Sequence, residues 1–394
     1  MPQKRREGSG SLVPPPGVPS GARHRIVVKF GGAALATGEL VSDAARLVLE
    51  DPAEEKLVVV SAPQGMTDRL IDLVGGLPEP VEPAEAAHVI GYGERISARL
   101  FASALRSRGA SVRLLEPEDA DWPVLTERAG RDAEIDLERS RRRIAERLVP
   151  ILRRSIVVLG GFLGRSGTRS AVLRRGGGDT SAVALGACLG ADEVVLVKEV
   201  PGVLSADPDA VSDARPLREI SAEALTELGR GGARIVAPEA LAYLSERTRL
   251  RIIPLGVPLG AAGGTTVRAT AGPRRIGVRP PASGTPKDGS VTVLFEEAAP
   301  GLATLIEVVG GRPWSGLSAT RTSATIVAPE TEIPSLVSLL HRSGAFRAVA
   351  SRPKLPRSRG PSRPIAPIRP GSVGKAGPRP GEPGRDRLLP PIHA

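Results

Sequence analysis

VVKFGGAAL, residues 27–35, places a lysine close to the end of a β-branched apolar run and two glycines directly behind it. The run reads as a strand. The paired glycines let backbone N–H groups come close to a ligand, and a helix starting after them adds partial positive charge at its N-terminus. Lys29 can aim its ammonium from the strand end at a phosphate, with Gly31 and Gly32 as the cradle. Taken alone, Lys-x-Gly-Gly after a strand is more often an ordinary turn, so the rest of the chain has to decide.

Outward from this stretch, short β-branched runs alternate with Ala/Leu/Arg-rich segments. Strands are expected at 25–30, 56–62, 111–115, 155–162, 192–198 and 249–255, and helices at 38–51, 67–76, 84–107, 134–153, 179–190, 221–228 and 236–246. The strand runs are continuously apolar rather than alternating, which marks an α/β fold with a mostly parallel sheet sandwiched by helices. Ligands in such sheets bind at the carboxyl ends of strands. After LGVPLGAAGGTTV (255–267) the pattern changes. SVTVLFEE, PGLATLIEVV, GLSAT, TSATIVAP, EIPSLVSLLHRSG and FRAVAS spell β-α-β-β-α-β, a small α+β ferredoxin-like unit. The expected organisation is a disordered N-terminus over 1–24, the α/β domain over 25–270, a linker over 271–288, the small domain over 289–352 and a disordered Pro/Arg-rich tail over 353–394.

The 394-residue chain is 41% hydrophobic and 25% charged, a soluble globular composition, and no apolar run approaches the roughly 18 residues of a membrane span. Its basic first residues run into Pro, Gly and Ser without the apolar centre of a signal peptide, so a cytoplasmic protein is expected. Cys188, the one cysteine, rules out an intrachain disulfide and reads as an inert core thiol. The net charge of +11 belongs to the ends: residues 352–394 hold ten Lys or Arg against Glu382 and Asp386, and residues 1–25 hold five against Glu7. The body between them is close to neutral, so its surface fits neither nucleic acid nor membrane as a partner. The tail reads as solvated linker or as an anion-binding arm, and both readings stay open.

Two further glycine sites follow the first. SIVVLGGFLGRSG (155–167) repeats the strand-then-glycine device, and VLRRGGGDTSAVALGACLG (172–190) repeats it with three glycines before Asp179 and Thr180. Asp179 and Thr180 are natural N-caps for the helix that follows, with Gly190 as its C-cap. Three such loops at the ends of strands in one sheet favour anion binding over turns. HVIGYGERISARL (88–100) sets Glu94 and Arg95 after two glycines; at a strand-end cleft a carboxylate there can recognise an ammonium. EVPGVLSADPDAV (199–211) fits a nucleotide-edge loop or a plain connection.

The ordered series VVKFGGAAL, SAPQGMTD, GYGERIS, GGFLG, LRRGGGDTSA, KEVPGVLSADP, GGARIVAPEAL and GGTTV closely resembles the aspartokinases of the amino acid kinase family, over about residues 25–267. The small C-terminal unit resembles one of the ACT regulatory modules that follow that catalytic domain. The resemblance implies ATP- and Mg²⁺-dependent phosphorylation of the side-chain carboxylate of aspartate, in aspartate-family amino acid biosynthesis, by a homodimer paired through the ACT-like unit. It implies that Lys29 stabilises the transferring phosphoryl group and that Asp179 orients the catalytic basic residues. It implies substrate contacts from Glu94 (amino group), Arg175 (α-carboxylate), Thr67 and Phe162. Gly31, Gly32, Lys198, Glu199, Asp207 and Arg234 fall on its nucleotide-binding positions. Mg²⁺ would be held by ATP oxygens, with no dedicated protein metal site.

The chain also departs from the family pattern. KFGGTS reads with Ala33 and Ala34, LGRGGSD with Arg174 and Gly178, the tryptophan-threonine-aspartate triplet as Val197-Lys198-Glu199, a later tyrosine as Leu204, and the lysine of FGAK as Arg234. Each lost hydrogen bond to a charged group is worth on the order of 1.5–3 kcal/mol. Lys29, Asp179, Glu94 and Arg175 keep the core charges, which favours a working kinase. A nucleotide- or amino-acid-binding regulatory subunit, or a kinase for a related carboxylate, remains the alternative.

Overall fold

The structure, a computed structural model, describes residues 23–209, 211–231, 233, 235–269, 288–295, 298–346 and 348–352. Residues 1–22 of the disordered N-terminus expected over 1–24, residues 271–287 of the linker expected over 271–288, the tail over 353–394 and Arg234 lie outside the described residues. In chain order the elements are β1 (Arg25–Phe30), α1 (Gly38–Glu50), β2 (Glu55–Val60), α2 (Met66–Gly75), α3 (Pro83–Ile90), α4 (Tyr92–Arg106), β3 (Val112–Leu115), β4 (Gly130–Ala133), α5 (Leu137–Arg143), α6 (Val149–Leu152), β5 (Ile156–Gly160), β6 (Leu163–Ser166), β7 (Arg169–Leu173), α7 (Gly177–Leu189) and β8 (Glu193–Lys198). They continue with β9 (Glu219–Ser221), α8 (Ala222–Arg230), α9 (Pro238–Leu241), β10 (Arg249–Pro254), β11 (Thr265–Arg268), β12 (Asp288–Leu294), α10 (Ala298–Val309), β13 (Gly316–Ala319), β14 (Ser323–Pro329), α11 (Ile333–Arg342) and β15 (Ala348–Arg352).

Eight strands form the main sheet in the order β3-β5-β2-β1-β8-β10-β11-β9. All neighbours pair in parallel except β10 with β11. The continuous apolar runs are explained by burial on both faces: β2 is buried at every position, and side chains of β1 and β8 feed two separate cores, one on each side of the sheet. Chain order reverses at β1, which has β2 on one flank and β8 on the other. The crevice outside the carboxyl ends of β1 and β8 is therefore the topological switch point, where an open α/β sheet binds ligands.

Local chemistry accounts for where the text and the structure differ. The helix expected over 84–107 is two helices divided at Gly91, which gives α4 its own N-terminus and puts Glu94 in its first turn. The helix expected from 134 begins at Leu137, because Asp136 caps it through the N–H of Arg139 (3.0 Å). It then widens to a π turn over Ile144–Leu148 ahead of Pro150, which has no N–H to give to a regular turn. The helix expected over 236–246 keeps only α9 and then tightens into i→i−3 bonds, as in Tyr243 N–H to Ala240 O (3.1 Å). Residues 163–167, read as part of a glycine loop, enter the β6–β7 hairpin of a three-stranded sheet, β4-β7-β6.

Beyond the main sheet, β12 to β15 form an antiparallel sheet in the order β13-β14-β12-β15, with α10 and α11 packed on it in β-α-β-β-α-β order. Its apolar core also takes in Ala206 and Val211, which come from the segment after β8.

Candidate active site

The ends of β1, β2 and β8 and the starts of α4 and α7 build the site. Lys29 is 6% exposed near the end of β1; its neighbour β2 ends one residue before Ser61, whose N–H donates to Phe30 O (3.1 Å). The turn after β1 presses against that connection: a Cβ on Gly32 would lie 2.7 Å from Ala62 O, so only glycine fits. Gly31 N–H donates to Val197 O (3.4 Å), tying the turn to β8 as well.

The third glycine loop leads into α7. The helix starts two residues earlier than its text suggests, with Gly176 as N-cap at φ 86°. Asp179, expected as a cap, is instead in the first turn with its carboxylate free for other partners, and Thr180 Oγ1 turns back to donate to Gly176 O (3.3 Å). Gly190 closes the helix in the left-handed conformation, as expected. Asp179 is 5% exposed. Its Oδ1 lies 2.8 Å from Lys29 Nζ, and its Oδ2 accepts from Lys198 Nζ at 2.6 Å. Burial pushes the carboxyl pKa up, but the two ammoniums outweigh it and hold Asp179 down to about 2. Burial lowers Lys198 from its ordinary value, with Asp179 opposing.

Glu94 faces the same space from α4 and is 3% exposed. Its Oε1 accepts from Ala62 N–H (3.2 Å), and its Oε2 is buried with no hydrogen-bond partner. Burial pushes Glu94 up to about 7, against the Ala62 hydrogen bond and the nearby Lys29. Arg95 points the other way and forks onto Glu118 (2.8 and 2.6 Å). A buried carboxyl with one idle oxygen calls for a cationic partner.

One cavity of about 550 Å³ collects Lys29, Gly32, Thr67, Glu94, Phe162, Arg175, Asp179 and Lys198. Phe162 has φ 65°, held by its own N–H donating to Ser181 Oγ (3.0 Å) and by Leu173 N–H donating to its carbonyl (2.8 Å). Arg175 is mostly exposed and pairs with Asp68 at 3.3 Å. Gly31 lies just behind the lining. Glu199 and Asp207 are exposed and outside it; Asp207 Oδ1 accepts from Asp209 N–H (3.0 Å) in a turn. Sequence reasoning missed Ser61, Gln64 and Asp68, which stand in the quoted SAPQGMTD, and Arg131 and Asp132 on β4. No local signal marks β4, and Asp132 takes a left-handed φ of 53°.

The segment after β8 links the site to the antiparallel sheet. Val203 N–H donates to Thr265 Oγ1 (2.8 Å) and Leu217 N–H to Val203 O (2.7 Å), while Ser205 Oγ lies 2.9 Å from Nε2 of His341 on α11. Among the described residues no three His, Cys, Asp or Glu side chains gather as a metal-holding group, and no helix is long and apolar enough to cross a membrane.

The model of the amino acid kinase family matches residues 24–254. The chain is 36% identical over 223 residues to an aspartokinase of Corynebacterium efficiens and 34% identical over 224 residues to an aspartate kinase of Stutzerimonas stutzeri. Each match covers 55% of the chain and 51% or 52% of the relative, so the chain spans about half the length of the curated relatives it matches. Among solved structures, E. coli aspartokinase III in complex with aspartate and ADP superposes with a TM-score of 0.58 at 23% identity, covering 83% of this chain and 86% of that one. The Clostridium acetobutylicum aspartate kinase gives 0.53 at 17% identity, covering 83% and 84%. At these identities the superpositions speak for the fold.

Proposed function

The chain belongs to the amino acid kinase family, and from that premise we propose that it phosphorylates the side-chain carboxylate of L-aspartate with ATP, giving 4-phospho-L-aspartate and ADP. The observation that carries this reading is the buried Lys29–Asp179 pair and the idle oxygen of Glu94, brought together on one cavity. Anion-stabilising and ammonium-recognising groups thus line one cavity, as an amino acid donating a carboxylate to a phosphoryl group requires. The likeness to aspartokinases supports aspartate as that amino acid.

In this reading Glu94 takes the substrate ammonium and Arg175 its α-carboxylate, with Asp68 releasing the guanidinium. Thr67 and Phe162 line the amino-acid end. The side-chain carboxylate oxygen attacks the γ-phosphorus, the bond to the β-phosphate oxygen breaks, and ADP leaves with the electron pair. The attacking carboxylate is already ionised, so no general base is needed. Positioning and charge neutralisation do the work, through Lys29 and the backbone N–H groups behind Gly31, Gly32 and Gly176. These residues fit a triphosphate. Mg²⁺ would ride on phosphate oxygens, and Glu199, Asp207 and Arg234 would serve the outer part of the nucleotide.

The antiparallel sheet unit fits an ACT-like regulatory domain, and we assign it the pairing surface of a homodimer. Trapping acyl phosphate with hydroxylamine, across aspartate, glutamate and close analogues, tests the reading. Aspartate hydroxamate that needs ATP and Mg²⁺ supports it; no hydroxamate from any member of the panel overturns it.

A further inference from the structure

We infer that Lys198 is a second phosphoryl-binding cation, a catalytic residue at the end of β8 that works opposite Lys29 across Asp179. The inference rests on the kinase reading and goes beyond it, because Lys198 falls at a position where the resemblance implies a contact to the nucleotide. Its side chain does something more specific. Lys29 and Lys198 leave neighbouring parallel strands on the same edge of the sheet: Phe30 pairs with Val197 in register, so Lys198 stands level with the glycine turn. Both ammoniums converge on the two oxygens of one carboxylate, at 2.8 and 2.6 Å.

The charge balance of this cluster asks for an anion. Two ammoniums share a single buried carboxylate, leaving one excess positive charge in a pocket where water screens weakly. The other ionisable groups of the cavity do not cancel it. In the kinase reading Glu94 is taken by the substrate ammonium, Arg175 and Asp68 answer each other, and Arg131 and Asp132 lie exposed on β4. The anion best placed to meet both ammoniums lies between the strand ends, in front of the α7 N-terminus, where a transferring phosphoryl group would pass. Its charge shifts from the β-phosphate oxygen to the new acyl oxygen as one P–O bond breaks and the other forms. One lysine on each flank of that path can follow the charge. Asp179 positions both.

The test is Lys198→Met, with melting curves taken first and Lys198→Arg as a second variant. Affinities for ADP and for a non-hydrolysable ATP analogue are measured by calorimetry, and turnover is measured at saturating ATP. A phosphoryl-binding Lys198 predicts ADP affinity within threefold of the wild type, loss of the extra affinity for the triphosphate, and at least a hundredfold lower turnover. Weaker ADP binding by tenfold or more with turnover at saturation unchanged would make Lys198 a nucleotide contact and overturn the inference, as would a variant equal to wild type in every measurement. If Lys198→Met does not fold, the same comparison is read on Lys198→Arg, whose planar fork keeps the charge but not the compact head. If the wild type turns over no carboxylate, the kinase reading fails by itself, while the triphosphate-against-diphosphate comparison still decides the role of Lys198.

Discussion

Replacing Glu94 by glutamine removes one charge from the cavity while keeping an oxygen for the Ala62 N–H. The buried carboxyl is held at about 7 instead of its ordinary 4.5. Because the folded value is raised, the native state binds the extra proton between those two values. The stabilisation is complete below pH 4.5 and is lost as pH climbs through 7. The ionised carboxyl then costs the fold roughly 3 kcal/mol relative to acid conditions. Glutamine does not titrate, so the stability of Glu94→Gln relative to wild type should rise by about that amount from pH 4 to pH 9. At roughly 2 °C per kcal/mol this is about 6 °C in Tm for the ligand-free protein. The pH trend is the observable, since the amide N–H₂ that replaces the idle oxygen adds a constant penalty. Binding should show the mirror image. An ammonium needs the ionised form, whose population falls roughly tenfold from pH 8 to pH 6, so KM for aspartate should rise by the same factor. A difference in Tm that stays flat across this range, or a KM indifferent to pH, would refute the reasoning.

Lys29→Ala should lower hydroxamate formation by roughly 10²–10³-fold, the scale of losing one preorganised charge-stabilising group, with the fold intact by circular dichroism. Asp179→Asn leaves two ammoniums facing each other in a buried site and should cost about 3–5 kcal/mol in urea unfolding. Asp179 has a lowered pKa, so its stabilisation is present above pH 4 and lost as pH falls towards 2; the asparagine variant should lack that acid slope. Gly32→Ala drives a methyl to 2.7 Å from Ala62 O and should destabilise by about 1–3 kcal/mol and weaken ATP binding in calorimetry. His341→Ala releases Ser205 and should raise KM for ATP while leaving KM for aspartate unchanged in steady-state kinetics.

Much of this protein can be read from its text, and the legible parts share one cause. Strand runs buried on both faces must be apolar throughout, so β1, β2, β5, β8 and β10 all stand out within a residue or two. Glycines at strand ends announce close backbone approach, and Lys29, Gly32, Glu94, Phe162, Arg175 and Asp179 reach one cavity from scattered positions. The short strands β4, β6 and β7 did not stand out. They hold a small sheet in which buried and accessible positions follow no regular alternation, so burial imposes little pattern on them.

Residue chemistry and local period determined by themselves the α/β class, the strand ends and the presence of charge beside glycine. Tertiary structure alone decided how those charges meet. Asp179 could have capped its own helix; it serves two lysines because β8 lies next to β1 and α7 begins above that seam. Lys198 could have faced solvent like Glu199, and the segment after it could have been plain linker, had Ala206 and Val211 not entered the core of the antiparallel sheet. Strand order and the docking of one unit on another depend on contacts between residues far apart in the chain, and local periodicity carries no record of them.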